Sequence, residues 1–157
     1  MISGGHSASV TFTRPSNTTA YAVNDAIGDT SGSAILTFSD LCRAGGGDVL
    51  ITSIEVEVDV ATSPIGTTTL RLYNAAPTAI ADNAAWDLVS DDRGKYLGSI
   101  KLATPTDEGS TLFSNNDGIN KHILMTGTSL YCILTTDTAF TPASATVKRI
   151  TIHTLEV

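Results

Sequence analysis

From Asp48 to Tyr73 the chain reads DVLITSIEVEVDVATSPIGTTTLRLY, and its polar and apolar positions alternate. The even positions carry Leu50, Thr52, Ile54, Val56, Val58 and Val60, and the odd ones between them carry Ser53, Glu55, Glu57 and Asp59. Side chains alternate faces along a strand, so the pattern predicts an aliphatic face inward and an acidic face in water. After Ser63-Pro64-Ile65-Gly66, Leu70 and Leu72 resume the even phase. With β-branched residues dominant, the expectation is a long two-stranded ribbon turning at Pro64.

The same reading extends along the chain. Met1–Ser9 is rich in Gly and Ser and is expected as a flexible arm, with the folded domain running from 10 to 157. Val10–Thr13 reads as a short strand stopped by Pro15. Tyr21–Gly28 reads as an extended edge segment, Ser33–Phe38 as a strand, and Ser39–Ala44 as a short helical turn capped by Ser39. Asn74–Asp92 has the Pro, Asn and Asp content of a long ordered loop, which Trp86 should anchor by burying its ring. Tyr96–Leu102 and Thr111–Phe113 are extended, and Ser114–Asn120 reads as a turn. Lys121–Met125 and Ser129–Thr135 flank Thr126-Gly127-Thr128 as a hairpin would. Residues 130–134 are apolar on both faces, as in a central strand covered on each side. Ala143–Val157 makes a last strand whose phase shifts between Val147 and Ile150, which predicts a bulge.

About eight strands with almost no helical periodicity predict an all-β fold, an antiparallel β-sandwich of jelly-roll type. An immunoglobulin-like arrangement fits less well, because the Cys…Trp…Cys spacing is missing.

Composition narrows the chemistry. The net charge is −7, and Lys148-Arg149 is the only adjacent pair among nine basic residues. Phosphate neutralisation needs clustered cations, so neither nucleic acid nor an anionic membrane is an expected partner. No stretch has the apolar length of a membrane helix, and Met1–Ser9 lacks the pattern of a secretion signal, so synthesis in a cytosol is expected. Cys42 and Cys132 do not define a disulfide framework, and Cys132 reads as a small core residue.

His6, His122 and His153 are far apart in sequence, and no nucleophile, phosphate-loop or metalloprotease motif accompanies them. No enzyme activity, cofactor or resident metal is therefore expected. Asp82, Asp87, Asp91 and Asp92 crowd one loop and offer hard oxygen ligands, but their spacing matches no EF-hand, and Asp is common in turns. Glu55, Glu57 and Asp59 are read as a solvated face.

At TFTRPSNTTAYAVNDAIGD (Thr11–Asp29) and LRLYNAAPTAIADNAAWDLVSDDRGKYLGSI (Leu70–Ile100), the chain resembles a group of small structural proteins of tailed bacteriophages. The ordered blocks cover roughly its first two-thirds and carry no catalytic signature. The resemblance implies a virion component, most like a capsid decoration (cement) protein on the outer head surface. Such a protein is made in the host cytoplasm, forms a homotrimer and clamps neighbouring major capsid subunits. The arm and the long loop then become the expected contact regions, with Ile2, His6, Arg14, Asn74, Pro77, Asp82 and Trp86 as candidate partner-binding residues. A virion or tail module recognising host-surface glycans is the alternative, and Trp86 or Tyr96 exposed along a groove would favour it.

Overall fold

The computed structural model describes residues 4–59 and 65–157. Its organising feature is nested pairing. β1 (Gly5–Thr13) runs antiparallel to β9 (Val147–Glu156), and β2 (Ile35–Phe38) to β8 (Leu130–Thr136). β3 (Gly47–Val58) pairs with β7 (Leu112–Met125), and β4 (Thr68–Tyr73) with β5 (Tyr96–Leu102). The chain is thus one long antiparallel hairpin whose tip is the 74–95 connection. Rolling it up brings β3 against β9 and β4 against β8. The result is two sheets, β1-β9-β3-β7-β6 and β2-β8-β4-β5, with the two-residue β6 (Thr106–Asp107) extending one edge. This is the expected antiparallel sandwich with jelly-roll topology. It has nine strands among the described residues.

Between the sheets lies one large core. Val49, Ile51, Ile54, Val56, Val58, Ile150 and Ile152 from the first sheet meet Leu36, Phe38, Leu70, Leu72, Cys132 and Leu134 from the second. Cys42 and Cys132 are both free and buried.

The predicted ribbon is corrected on two counts. β3 and β4 lie in different sheets and do not pair, because alternation reports which face is buried and not which strand lies alongside. The inward phase also switches within β3. Val49 and Ile51 are buried before Thr52 and Ile54, Val56 and Val58 after it, so Leu50 and Thr52 do not face the core. A bulge causes the switch: Ile51 pairs with Lys121 and Ser53 with Asp117, so β7 carries extra residues opposite Thr52. Gly118 (φ 66°) and Asn120 (φ 50°) supply its left-handed backbone. The Asp117-Gly118 turn signal is therefore real, but it bends one continuous strand. The turn residues Ser63 and Pro64, and Val60, lie outside the described residues.

Other expectations shift as well. Thr126-Gly127-Thr128 joins β7 to β8 across the two sheets and closes no hairpin. The final strand holds its register against β1 without a bulge: Lys148, Ile150, Ile152 and Thr154 all point inward, and an inward lysine mimics a phase break. β1 starts at Gly5, so residues 5–9, read as arm, are paired strand. Ser39–Ala44 forms bends instead of a helical turn, with Asp40 at φ 61°. Residues 74–92 form the expected ordered loop, with a single 3-10 turn at Ser90–Asp92.

The phase switch has a measurable consequence. Ile51→Ala empties a core position and should lower the unfolding free energy in urea by about 2–5 kcal/mol, whereas Leu50→Ala, on the outer face, should cost under about 1 kcal/mol. Equal losses would contradict the bulge.

Candidate functional site

Three regions carry side chains beyond those the core needs. The first is a buried polar network where the chain leaves β1. Arg14 is fully buried, and its backbone N–H donates to the Thr146 carbonyl at 3.0 Å. Its Nε donates to the Tyr21 hydroxyl at 2.7 Å and its Nη2 to Asn17 Oδ1 at 2.8 Å, while Nη2 lies 3.8 Å from Asp82 Oδ2. Tyr21 in turn donates to Asp82 Oδ1 at 2.5 Å, and the Gly28 N–H donates to the same oxygen at 2.8 Å. A Cβ on Gly28 would stand 2.9 Å from Asp82 Cβ and from the Ser33 carbonyl oxygen, so only glycine allows this approach. Burial, reinforced by the hydrogen bond to Asp82, pushes the Tyr21 hydroxyl well up from its ordinary range and keeps it a donor.

Lys148 is also buried, against Val58, Ile65, Phe140 and Pro142. Burial first and the Arg14 charge second pull its pKa down to about 8, against a smaller upward pull from Asp82. The unfolded chain holds that proton more tightly, so folding carries a cost of about 3 kcal/mol that is fully present below pH 8. The cost fades as pH rises from about 8 toward the unfolded value of about 10.4. Lys148→Met should therefore raise the melting temperature at pH 7. The difference between variant and wild type should shrink steadily from pH 8 to 10; a constant difference would show that Lys148 carries no such cost.

The second region is aromatic. Tyr131, Tyr73 and Tyr96 stand in one row across β8, β4 and β5, on the outer face of the second sheet. The tip loop crosses over them. Trp86 Nε1 donates to the Tyr73 hydroxyl at 2.9 Å, its ring lies 5.8 Å from that of Tyr96, and the Arg71 guanidinium sits 4.1 Å from its centroid. Arg71 is held there by Asn24 Oδ1 at 3.0 Å. The loop then pairs with 24–34 through Ala26 N to the Ala84 carbonyl, Trp86 N to Asn24, and Ala34 N to Ile80. Trp86 is thus the loop anchor its sequence context predicts, with one ring face beneath Arg71. At the open end of this row lies a groove of about 310 Å³, lined by Asn74, Thr126, Gly127, Thr128, Ser129 and Tyr131 together with two alanines.

The third region is the bare outer face of the first sheet. Gly5, Leu155, Leu50 and His122 form one cross-strand row, and Leu124 and Asp48 pair in the next. Among the described residues four large apolar side chains are exposed. Three of them, Leu124 (56%), Leu155 (40%) and Val157 (67%), gather at this corner. Polar contacts run from this corner along the sheet: the His122 ring lies 3.1 Å from Asp48 and the His153 ring 3.7 Å from Glu55, and farther along Arg149 pairs with Glu57 at 3.4 Å.

The expected contact residues scatter across these regions. Ile2 lies outside the described residues. His6 faces Glu156 at 3.2 Å at the end of the sandwich. Arg14 has no exposed surface to offer a partner, Pro77 is buried, and Asp82 is turned inward. Asn74 borders the groove, where its carbonyl accepts from Thr126 Oγ1 at 2.8 Å. The loop aspartates diverge. Asp87 and Asp91 are exposed, while Asp92 is buried and accepts from the Thr78 N–H and from Lys95 Nζ, both at 2.8 Å. Burial opposes ionisation of Asp92, but those donors outweigh it and hold its carboxyl below the ordinary range. Among the described residues no three His, Cys, Asp or Glu side chains gather as metal ligands would. Sequence reasoning missed Leu124, Leu155 and the Tyr131 groove; Lys148 was detectable as a lysine at an inward position.

No family model matches the chain, and no curated protein matches it. Several solved structures are distantly similar. The 60-mer BFDV capsid protein is 11% identical, over 98% of this chain and 90% of that one, with a TM-score of 0.39. The cyanophage Pam1 capsid is 16% identical, over 99% and 85%, with a TM-score of 0.34. A carbohydrate-binding module specific for non-crystalline cellulose is 12% identical, over 92% and 69%, with a TM-score of 0.36. Likeness at this level extends to architecture and says nothing of what this chain binds.

Proposed function

We propose that this chain is a structural virion protein of a tailed bacteriophage. It decorates the outer surface of the head as a homotrimer and holds neighbouring major capsid subunits together. The sequence resemblance at Thr11–Asp29 and Leu70–Ile100 supports the virion assignment. The observation that carries the contact role is the apolar corner of Leu50, Leu124, Leu155 and Val157 on the outer face of the first sheet. Clustered apolar side chains rimmed by polar groups mark protein contacts, and here the neighbouring Asp48 and Glu55 already have partners within the chain in His122 and His153. A partner on this face therefore gains from apolar burial more than from charge attraction. The role requires no catalytic group.

Capsids lacking this protein provide the test. Purified protein is added back and bound copies are counted by cryo-electron microscopy. The double variant Leu124→Asp with Leu155→Asp should fold with an unchanged melting temperature yet bind at least about tenfold more weakly, because buried anchors dominate such interfaces. Occupancy equal to wild type would overturn the assignment of this face.

A further inference from the structure

We infer that the groove over Tyr131 is a binding site for a neutral saccharide. The groove is open, about 310 Å³ in volume, and none of its lining side chains is charged. In a chain of net charge −7, a recess with no charged lining side chain offers little to phosphates, sialic acids or amines, and the nearby Lys95 ammonium is already engaged by the Ala76 carbonyl and Asp92. It does offer the two things a sugar ring uses. Tyr131 is half-buried, rests against the aromatic cluster, and presents ring surface to the apolar C–H face of a pyranose. Thr128, Ser129 and Asn74 surround it with hydroxyl and amide groups that both donate and accept, as vicinal sugar hydroxyls require. Pockets of this size with a few convergent polar groups are the usual form of small-ligand sites.

Gly127 lines the groove and offers a place to probe it: its φ lies outside the left-handed region, and a Cβ built on it meets nothing within 4 Å, so a larger side chain is tolerated there by the fold. The site is separate from the apolar corner of the first sheet, and its fate does not bear on the virion reading. It also differs from a platform at Trp86, whose ring is engaged by Arg71 and Tyr73.

Lactose, cellobiose and maltose, each titrated by ligand-observed NMR, are the probes, with glucose 6-phosphate as the anionic control. At least one neutral disaccharide should bind the wild-type protein, and Gly127→Ala should bind as wild type does. Gly127→Leu should weaken binding at least about tenfold, with an unchanged melting temperature, by filling space the ligand needs. Tyr131→Phe, which keeps the ring, should retain binding. No binding by any of the three disaccharides, equal binding by Gly127→Leu, or preference for glucose 6-phosphate would each overturn the inference.

Discussion

The inward carboxylate of Asp82 is the interaction on which the arrangement of the surface depends. It lies on the tip of the rolled hairpin, yet its partners Arg14, Tyr21 and Gly28 belong to the first thirty residues. A charge pair taken out of water is retained only when its remaining hydrogen-bonding capacity is met, and here Tyr21 and the Gly28 amide meet it. Through that anchor the tip is pulled across the second sheet, and Trp86, Ile80 and Leu88 cover Tyr73, Ile35 and Ile133. Lys148 is the cost of placing the network beside the core: a second cation shares the enclosure with a single carboxylate.

Much of the fold is legible in the residues, for a simple reason. Burial gives period two where one face of a strand meets water and a continuous apolar run where both are covered, so β5 is read at its true bounds and 130–134 as a strand covered on both faces. Partner choice leaves no such trace. β3 points valine and isoleucine inward and β4 leucine, one from each sheet, and the alternation is the same whether they pair or face each other. The Thr52 bulge is hidden because Leu50 is aliphatic on the wrong face and masks the switch. At β9 the error runs the other way, with an inward lysine read as a break in register.

The candidate sites were less legible, and the reasons differ by residue. Trp86 was readable because a lone tryptophan in a loop has few fates other than anchoring it. Arg14 and Asp82 were chosen as loop charges able to meet a partner, but each is satisfied by the other and by Tyr21. Leu124 stands between inward Ile123 and Met125 in an apolar run, so no local pattern marks it as exposed. The Tyr131 groove is made by 74–76 and 126–131, which only the roll brings together.

The two outer faces of the sandwich have been put to different uses, and this asymmetry constrains where a partner can sit. The second sheet is roofed by the tip loop, which is tied to residues 24–34 along the β8 edge, so its outer aromatic residues serve a second, smaller core. Only the end of that roof, at Tyr131, is left open. Among the described residues the first sheet leaves Leu124, Leu155 and Val157 exposed, while across β9 and β3 Arg149 pairs with Glu57 and the His153 ring lies beside Glu55. A large partner gains more on a broad face with clustered exposed leucines. A small polar ligand gains more in a recess with free hydroxyls. The two proposed contacts therefore draw on different surfaces, protein on the first sheet and a small molecule at the rim of the second.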